Sequence, residues 1–283
     1  MIPSYEKYSG DVRYNPINKP SIKYNQNAKK YYINKFNKNS DIVIDIGSGK
    51  GKDLPYWIEA NIKYVIGIEP SLDSMLKAIK RYKNERNKIR ITYLNGIGNK
   101  IWNNGEGALR EEDKQKFMDL FQKIKANSIN MCFTIHYMMD TRKDFNNLLQ
   151  NIDDHIQKNG KIIILFMDGA RMHKLLKKHN GEYIIKNKEE IVFKCTAKYD
   201  YNNNKIKIFG SRINVFFLSV TGLENSPDEN LVLPTVIKRI FESHKYEMVE
   251  DKRLSSVDPE GYIKLEPFQK KIVDLYRAIV FKK

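Results

Sequence analysis

The chain has 283 residues, 41% of them hydrophobic, and 50 Lys and Arg stand against 34 Asp and Glu for a net charge of +16. That length can bury a sizeable core as one large domain or two small ones, and no run of about 18 apolar residues is present to cross a membrane. The charge favours a polyanionic partner, nucleic acid first, through phosphate contacts and counterion release; the plainer explanation is a lysine-rich solvated surface. Cys132 and Cys195 lie far apart in apolar surroundings and read as buried free thiols, with no disulfide framework and no zinc spacing. The N-terminal "MIPSYEKYSGDVRYNP" lacks a signal-peptide apolar core, so a cytoplasmic setting is expected.

Residues 1–24 are polar, carry Pro3, Pro16 and Pro20, and read as an irregular arm ahead of a domain over 25–283. "NQNAKKYYINKFNK" (25–38) is expected as a short helix. "DIVIDIG" (41–47) is apolar on both faces, as in a buried parallel strand. "KDLPYWIEAN" follows as a helix with Pro55 in its first turn, and "KYVIGIEP" as a second buried strand. The next helix, "SLDSMLKAIKRYKNER" (71–86), is capped by Ser71 and places Leu72, Met75, Leu76 and Ile79 on one face. "IRITYLNG" is a third strand, "EEDKQKFMDLFQKIKA" an amphipathic helix and "INMCFTIHYM" (129–138) a fourth strand. "RKDFNNLLQNIDDHIQKNG" (142–160) reads as a helix stopped by Gly160, and "KIIILFMDG" as a fifth strand.

Such alternation means a parallel sheet covered by helices on both faces. After about residue 180 the pattern changes. "EEIVFKCTAKYDYNNNKIKIFGSRINVFFL" (189–218) reads as antiparallel hairpin strands around "NNN". A loop with Pro227 and Pro234, a helix "TVIKRIFESHKY" and a final strand "YRAIVFKK" complete one domain, the late hairpin elaborating its sheet.

The chemistry gathers at "DIVIDIGSGKGKDLPYW" (41–57), a strand, a glycine-rich turn and a helix start. Ligands of open α/β sheets bind beyond the C-terminal ends of the central strands. A dinucleotide fingerprint needs G-x-G-x-x-G, but Gly47, Gly49 and Gly51 fall at every second position and Lys52 takes the third glycine's place. A P-loop needs four residues between its glycines. A nucleoside cofactor without a phosphate fits better. S-adenosylmethionine would lie over the turn, with its ribose hydroxyls on Glu69 at the end of "VIGIE". The acids Asp45 and Asp53 suit a cationic sulfonium and an α-amino group.

The same stretch resembles the first motif of the mRNA cap guanine-N7 methyltransferases, D-[LI]-G-x-G-K-G-x-D-L. Three later pieces are similar to that family's motifs, in its order. They are "FTIHYMMD" (133–140) to F-x-x-H-Y, "PDENLVLP" (227–234) to P-E-[FY]-x-V-x-[FP], and "DLYRAIVFKK" to the terminal Y-x-x-[FY]-x-F-x-[KR]. "LFMDGARM" resembles the T-M-D-G of capping enzymes from large cytoplasmic DNA viruses. The resemblance covers about residues 25–283, least well over Gly98–Ala126 and the late hairpin.

What it implies is a class I S-adenosylmethionine-dependent methyltransferase sheet, Rossmann-like, with helices on both faces. On the cofactor side, Lys30 matches the lysine that meets the methionine carboxylate, with Lys29 as the alternative if the register slips. Asp45, Gly47, Gly49 and Asp53 surround the methionine part, and Glu69 holds the ribose. Asn95 stands where the family has an Asp near the adenine amine. Cys132 replaces a family glutamine, and Tyr137 borders the same site. On the cap side, Lys50 faces the sugar and phosphates, His136 and Tyr137 line the guanine pocket, Glu229 reads N1–H and the exocyclic amine, and Tyr276 closes the pocket. Singly these are ordinary residues; their joint occurrence in family order carries the reading.

The reaction so implied is transfer of a methyl group from S-adenosylmethionine to N7 of the cap guanine, leaving S-adenosylhomocysteine. N7 has a lone pair and no proton, so no catalytic acid or base is expected, only positioning by His136, Tyr137, Glu229 and Tyr276. The implied partner is the capped 5′ end of mRNA, alongside guanylyltransferase or triphosphatase domains of a longer polypeptide, or a stimulatory subunit. For a viral enzyme the setting would be the cytoplasmic factory or the virion. Two alternatives stay open at this point: a methyltransferase acting on another RNA or a small molecule, and a non-catalytic RNA-binding domain that keeps the fold.

Overall fold

The computed structural model describes residues 16–86, 89–203, 206–218, 226–257 and 263–283. Most of the expected arm and part of the "NNN" turn lie outside them. Residues 16–24 are not irregular: after a 3-10 turn at Pro16–Asn18, helix α1 runs over Lys19–Asn37 with Pro20 in its first turn, so it begins six residues before the expected one. It packs Ala28 and Tyr32 over the sheet.

Strands β1 (Ile42–Ile46), β2 (Tyr64–Glu69), β3 (Arg90–Asn95), β4 (Ala126–Cys132) and β5 (Ile156–Met167) are parallel. Beside β5 the sheet continues with β11 (Tyr276–Lys282) and then β10 (Glu247–Arg253), both added antiparallel, in the order β10-β11-β5-β4-β1-β2-β3. Alternate residues of β5 feed opposite layers. Ile162, Ile164 and Phe166 meet helices α4 (Lys114–Phe121), α5 (Arg142–His155) and α7 (Pro234–Ser243). Ile163 and Leu165 meet α1 and α8 (Pro267–Val273). Farther along that second face, α2 (Leu54–Glu59) buries Trp57, and α3 (Leu72–Lys83) buries Met75 and Ala78.

Several expectations change. The buried side of α3 is Met75 and Ala78, while Leu72 and Leu76 are 41% and 54% exposed; the packing face lies about 100° round the helix from the one the apolar spacing picks out. Helix α5 ends at His155, not at Gly160, because 156–160 find ladder partners instead. Ile156 pairs with Ala126, Asn159 N–H donates to Lys283 O, and Gly160 O accepts from Lys283 N–H. Strand β4 stops at Cys132, and Ile135–Met138 form a 3-10 turn. The late hairpin does not extend the main sheet. It belongs to a separate antiparallel sheet, β6 (Glu182–Asn187), β7 (Glu190–Ala197), β8 (Arg212–Phe217) and β9 (Asp228–Asn230), backed by Ile272 of α8 and by Met172 and Leu176 of α6 (Gly169–Lys178).

Candidate active site

The strand order reverses between β1 and β4, and the glycine turn sits at that switch point. Gly47 has φ +77°, and a Cβ there would lie 2.1 Å from Thr134 Cγ2, whose hydroxyl donates to Ile46 O at 2.9 Å. Only glycine fits that crossing of β1 and the β4 loop. Gly49, at φ +56°, is different: a Cβ added to it would meet nothing within 4 Å. The turn therefore faces open space, as a turn lying under a ligand must.

Glu69 at the end of β2 is buried, and both carboxylate oxygens are held: Oε2 accepts from Gly49 N–H at 2.8 Å and Oε1 from Ser71 N–H at 2.9 Å. Burial raises its pKa, and the two N–H donors counter that. The carboxylate is fixed in place with lone pairs left for two neighbouring hydroxyls. Asn95, ending β3, spends its NH₂ on Glu69 O and Pro70 O, both at 3.0 Å, so its amide oxygen is the end left to accept.

Asp53 occupies the N-cap position of α2 yet does not cap it. Both its oxygens go to Lys29 Nζ, at 2.9 and 2.8 Å. Lys30, one residue on, turns outward to Glu59 at 2.8 Å. Successive residues of a helix point about 100° apart, so Lys29, not Lys30, is the lysine of α1 that the fold brings to the site. Asp45 is 3% exposed and its Oδ2 has no hydrogen-bond partner. Burial, then the charge of Asp53, pushes its pKa up to about 8 against the pull of Lys29. An orphaned carboxyl beside an open turn is a place for a cationic group. Cys132 ends β4 next to Lys29, its thiol pKa raised by burial.

The other half of the site lies beyond β4. Phe133 has φ +62°, in the left-handed region costly for a bulky residue, and its N–H donates to Leu165 O at 2.6 Å. Its ring has Lys29 Nζ 5.9 Å from the centroid and meets Tyr276 edge-on at 5.5 Å. Phe133 thus touches both the lysine of α1 and the first residue of β11, contacts that its place in a motif did not disclose. In the turn that follows, the His136 and Tyr137 rings are 4.0 Å apart. His136 Nε2 lies 3.9 Å from Glu229 Oε2, and burial lowers the imidazole pKa against the pull of Glu229. Tyr276 opens β11, its hydroxyl pKa raised by burial and then by Glu229.

Glu229 reaches the site because β9, three residues long, pairs it with Ile213. The segment after it is clamped to the main sheet. Gly169 N–H donates to Val232 O at 2.9 Å, and a Cβ on Gly169 would meet Val232 backbone at 2.6 Å. Asp168 caps α6 through Arg171 N–H at 3.0 Å and holds Arg277 Nε at 2.8 Å. The "MDG" motif thus pins the Glu229 segment in place through Asp168 and Gly169.

At the crest of the glycine turn, Lys50 O accepts from Arg81 Nε at 3.2 Å. Lys50 and Arg81 also lie close enough to Lys52 to hold its pKa down, after burial, which is the larger effect. A basic crest of three residues results; Arg81, on α3, is too distant in sequence for the motif to have disclosed it. A wider cleft of about 590 Å³, between α8 and the β6–β7 turn, includes none of these residues.

The donor set fits S-adenosylmethionine: a fixed carboxylate for the ribose, and an orphaned acid and a half-buried lysine for the amino-acid end. Comparison with known proteins agrees. The mRNA (guanine-N(7))-methyltransferase domain matches residues 16–274. The mRNA-capping enzyme of African swine fever virus is 25% identical over 220 residues, 77% of this chain and 25% of the viral one. The mRNA cap guanine-N(7) methyltransferase of Saccharomyces cerevisiae is 29% identical over 136 residues, 47% of this chain and 29% of the yeast protein. The chain thus spans about a quarter of the length of these relatives. Among solved structures, the CcbJ methyltransferase of Streptomyces caelestis superposes with a TM-score of 0.58 at 11% identity, covering 91% of this chain and 94% of that one, and attests the fold. A match over nearly the whole chain settles the family: the protein belongs to the mRNA (guanine-N(7))-methyltransferase domain family, whose methyl donor is S-adenosylmethionine.

Proposed function

We propose that this chain methylates N7 of the guanine that caps GpppRNA, leaving S-adenosylhomocysteine. The observation that carries the reading is the convergence of Glu229, His136 and Tyr276: Glu229 lies 3.9 Å from His136 and close enough to Tyr276 to act on its hydroxyl. These residues come from three separate parts of the chain: the second sheet, the turn after β4 and the last strand.

Bound S-adenosylmethionine supplies a methyl carbon made electrophilic by its sulfonium. The chain's own part is placement. Lys29 meets the methionine carboxylate, Asp45 favours the α-amino group, Glu69 accepts from the ribose hydroxyls and Asn95 Oδ1 from the adenine amine. Glu229 accepts from guanine N1–H and the exocyclic amine. The rings of His136, Tyr137 and Tyr276 border a base that becomes cationic as N7 is alkylated. Lys50, Lys52 and Arg81 face the triphosphate. N7 loses no proton, so a buried, neutral His136 is no handicap; it is a wall of the slot rather than a base. Rate comes from alignment.

The basic surface then serves the RNA that follows the cap. In a longer polypeptide or complex, guanylyltransferase and triphosphatase domains would supply the GpppRNA end, in the cytoplasm and, for a viral protein, in its factory. Among the described residues no helix is long and apolar enough to cross a membrane. The test is methyl transfer to GpppA-capped RNA against the same RNA ending in a triphosphate. Transfer to the capped form alone supports the proposal. Transfer to both, or binding of cofactor with transfer to neither, overturns it.

A further inference from the structure

Asn230 has no part in the site as built so far. It ends β9, directly after Glu229, and is 9% exposed. Its Nδ2 donates to the main-chain carbonyl of His136 at 3.0 Å, a buried bond between residues 94 apart in sequence. Its own Oδ1 and the Nε2 of His136 are both buried without a hydrogen-bond partner. Asn230, His136 and Glu229 line one small cavity. The family pattern has an aromatic residue after the glutamate, so this donor is a departure of the present chain.

Glu229 and His136 stand on different supports. Glu229 rides on the last three-residue strand of the small sheet, and His136 on a turn of the large one. Arg212 and Asp140 also link the two supports, at 2.7 Å, but both side chains are about half exposed, where an ion pair holds little. The Gly169–Val232 contact fixes the chain three residues beyond Glu229. The Asn230 bond acts at the slot itself, one residue from the carboxylate and on the backbone of the ring that faces it.

We infer that Asn230 is a positioning residue that sets the width of the guanine slot, holding the Glu229 carboxylate at its spacing from the His136–Tyr137 turn. This rests on the reading of Glu229 and His136 as guanine-binding. An aspartate at 230 keeps the size but turns a carboxylate oxygen on the His136 carbonyl, and β9 must swing away. A serine is too short to reach, and the carbonyl is left buried without its donor.

The test uses Asn230→Asp and Asn230→Ser in the whole chain, with kcat and KM measured on GpppA- and inosine-capped RNA. S-adenosylhomocysteine affinity is measured in parallel. Inosine lacks the exocyclic amine, so the guanine-to-inosine ratio reports where the Glu229 carboxylate stands. In both variants KM for the guanine cap should rise about tenfold, kcat should fall less, and the guanine preference should shrink. Cofactor affinity should stay within about twofold. An unchanged KM and ratio overturns the inference. So does a loss of cofactor affinity in step with cap affinity, which would make the bond a support of the whole fold. A wild-type protein inert on GpppA RNA removes the guanine reading itself, and this inference with it.

Discussion

The two halves of the site are built on opposite plans. The cofactor half is the run of strand ends β1, β2, β3 and β4, and backbone groups at those ends fix Glu69, through Gly49 and Ser71, and Asn95, through the end of β2. The half proposed for the cap is assembled from segments around residues 136, 229 and 276, and long-range contacts such as Asn230 to His136 and Gly169 to Val232 hold it. One half is a property of the fold. The other depends on docking a small sheet against a large one, and mutations should divide accordingly.

The largest effect that separates the halves is expected from Glu229→Ala. It should lower kcat/KM for capped RNA on the order of 10²–10³-fold, because a desolvated carboxylate reading two N–H donors is lost. Calorimetric affinity for S-adenosylhomocysteine should not change. A parallel loss of cofactor binding would show the halves to be one unit.

Next comes Lys29 against Lys30. Lys29→Met strands Asp53 beside the buried Asp45 and should weaken cofactor binding by about tenfold or more. Lys30→Met removes a half-exposed surface pair with Glu59 and should change it by less than about twofold. The reverse ranking would return the role to Lys30.

A smaller effect distinguishes Asp45. With its folded pKa near 8 and an unfolded value of about 3.9, the native state holds the extra proton. Asp45 therefore subtracts stability progressively as pH rises between those values. A cation bound beside it favours the carboxylate, so cofactor binding should release a proton below pH 8, and affinity should rise as that pH is approached. Calorimetry in buffers of different ionisation heat measures the release. Asp45→Asn should abolish it and leave the thermal midpoint equal or higher, with an affinity about tenfold lower. Proton uptake on binding would contradict this account. The smallest effect belongs to α3: Leu76→Lys, on an exposed face, should shift stability by no more than about 0.5 kcal/mol in chemical denaturation.

The same division explains what could be read from the sequence. Gly47, Gly49, Asp53 and Glu69 lie along the turn after β1 and at the end of β2, so spacing alone groups them. The lysine of α1 was harder, since a one-residue change of helix register decides which side chain points inward, and the flanking residues are polar on both sides. Apolar spacing picks the wrong face of α3 because it says nothing about how far the sheet extends, and at this edge the sheet covers Met75 and Ala78 but not Leu72 and Leu76. Strand β9 is three polar residues long and exists through its pairing with β8, which no local pattern encodes. Motif order points to Glu229, whereas nothing local points to Asn230, whose partner lies 94 residues away.

The claim at the centre of this account is that a guanine N7 sits between Glu229 and the His136–Tyr137 turn, with its lone pair toward the cofactor. Nuclease digestion of GpppA-capped RNA after incubation with labelled S-adenosylmethionine, followed by identification of the labelled nucleoside, tests it most directly. One label per capped end is expected, all of it in 7-methylguanosine, and none on triphosphate-ended RNA. Label on another atom or another base, or equal label on uncapped RNA, would contradict it.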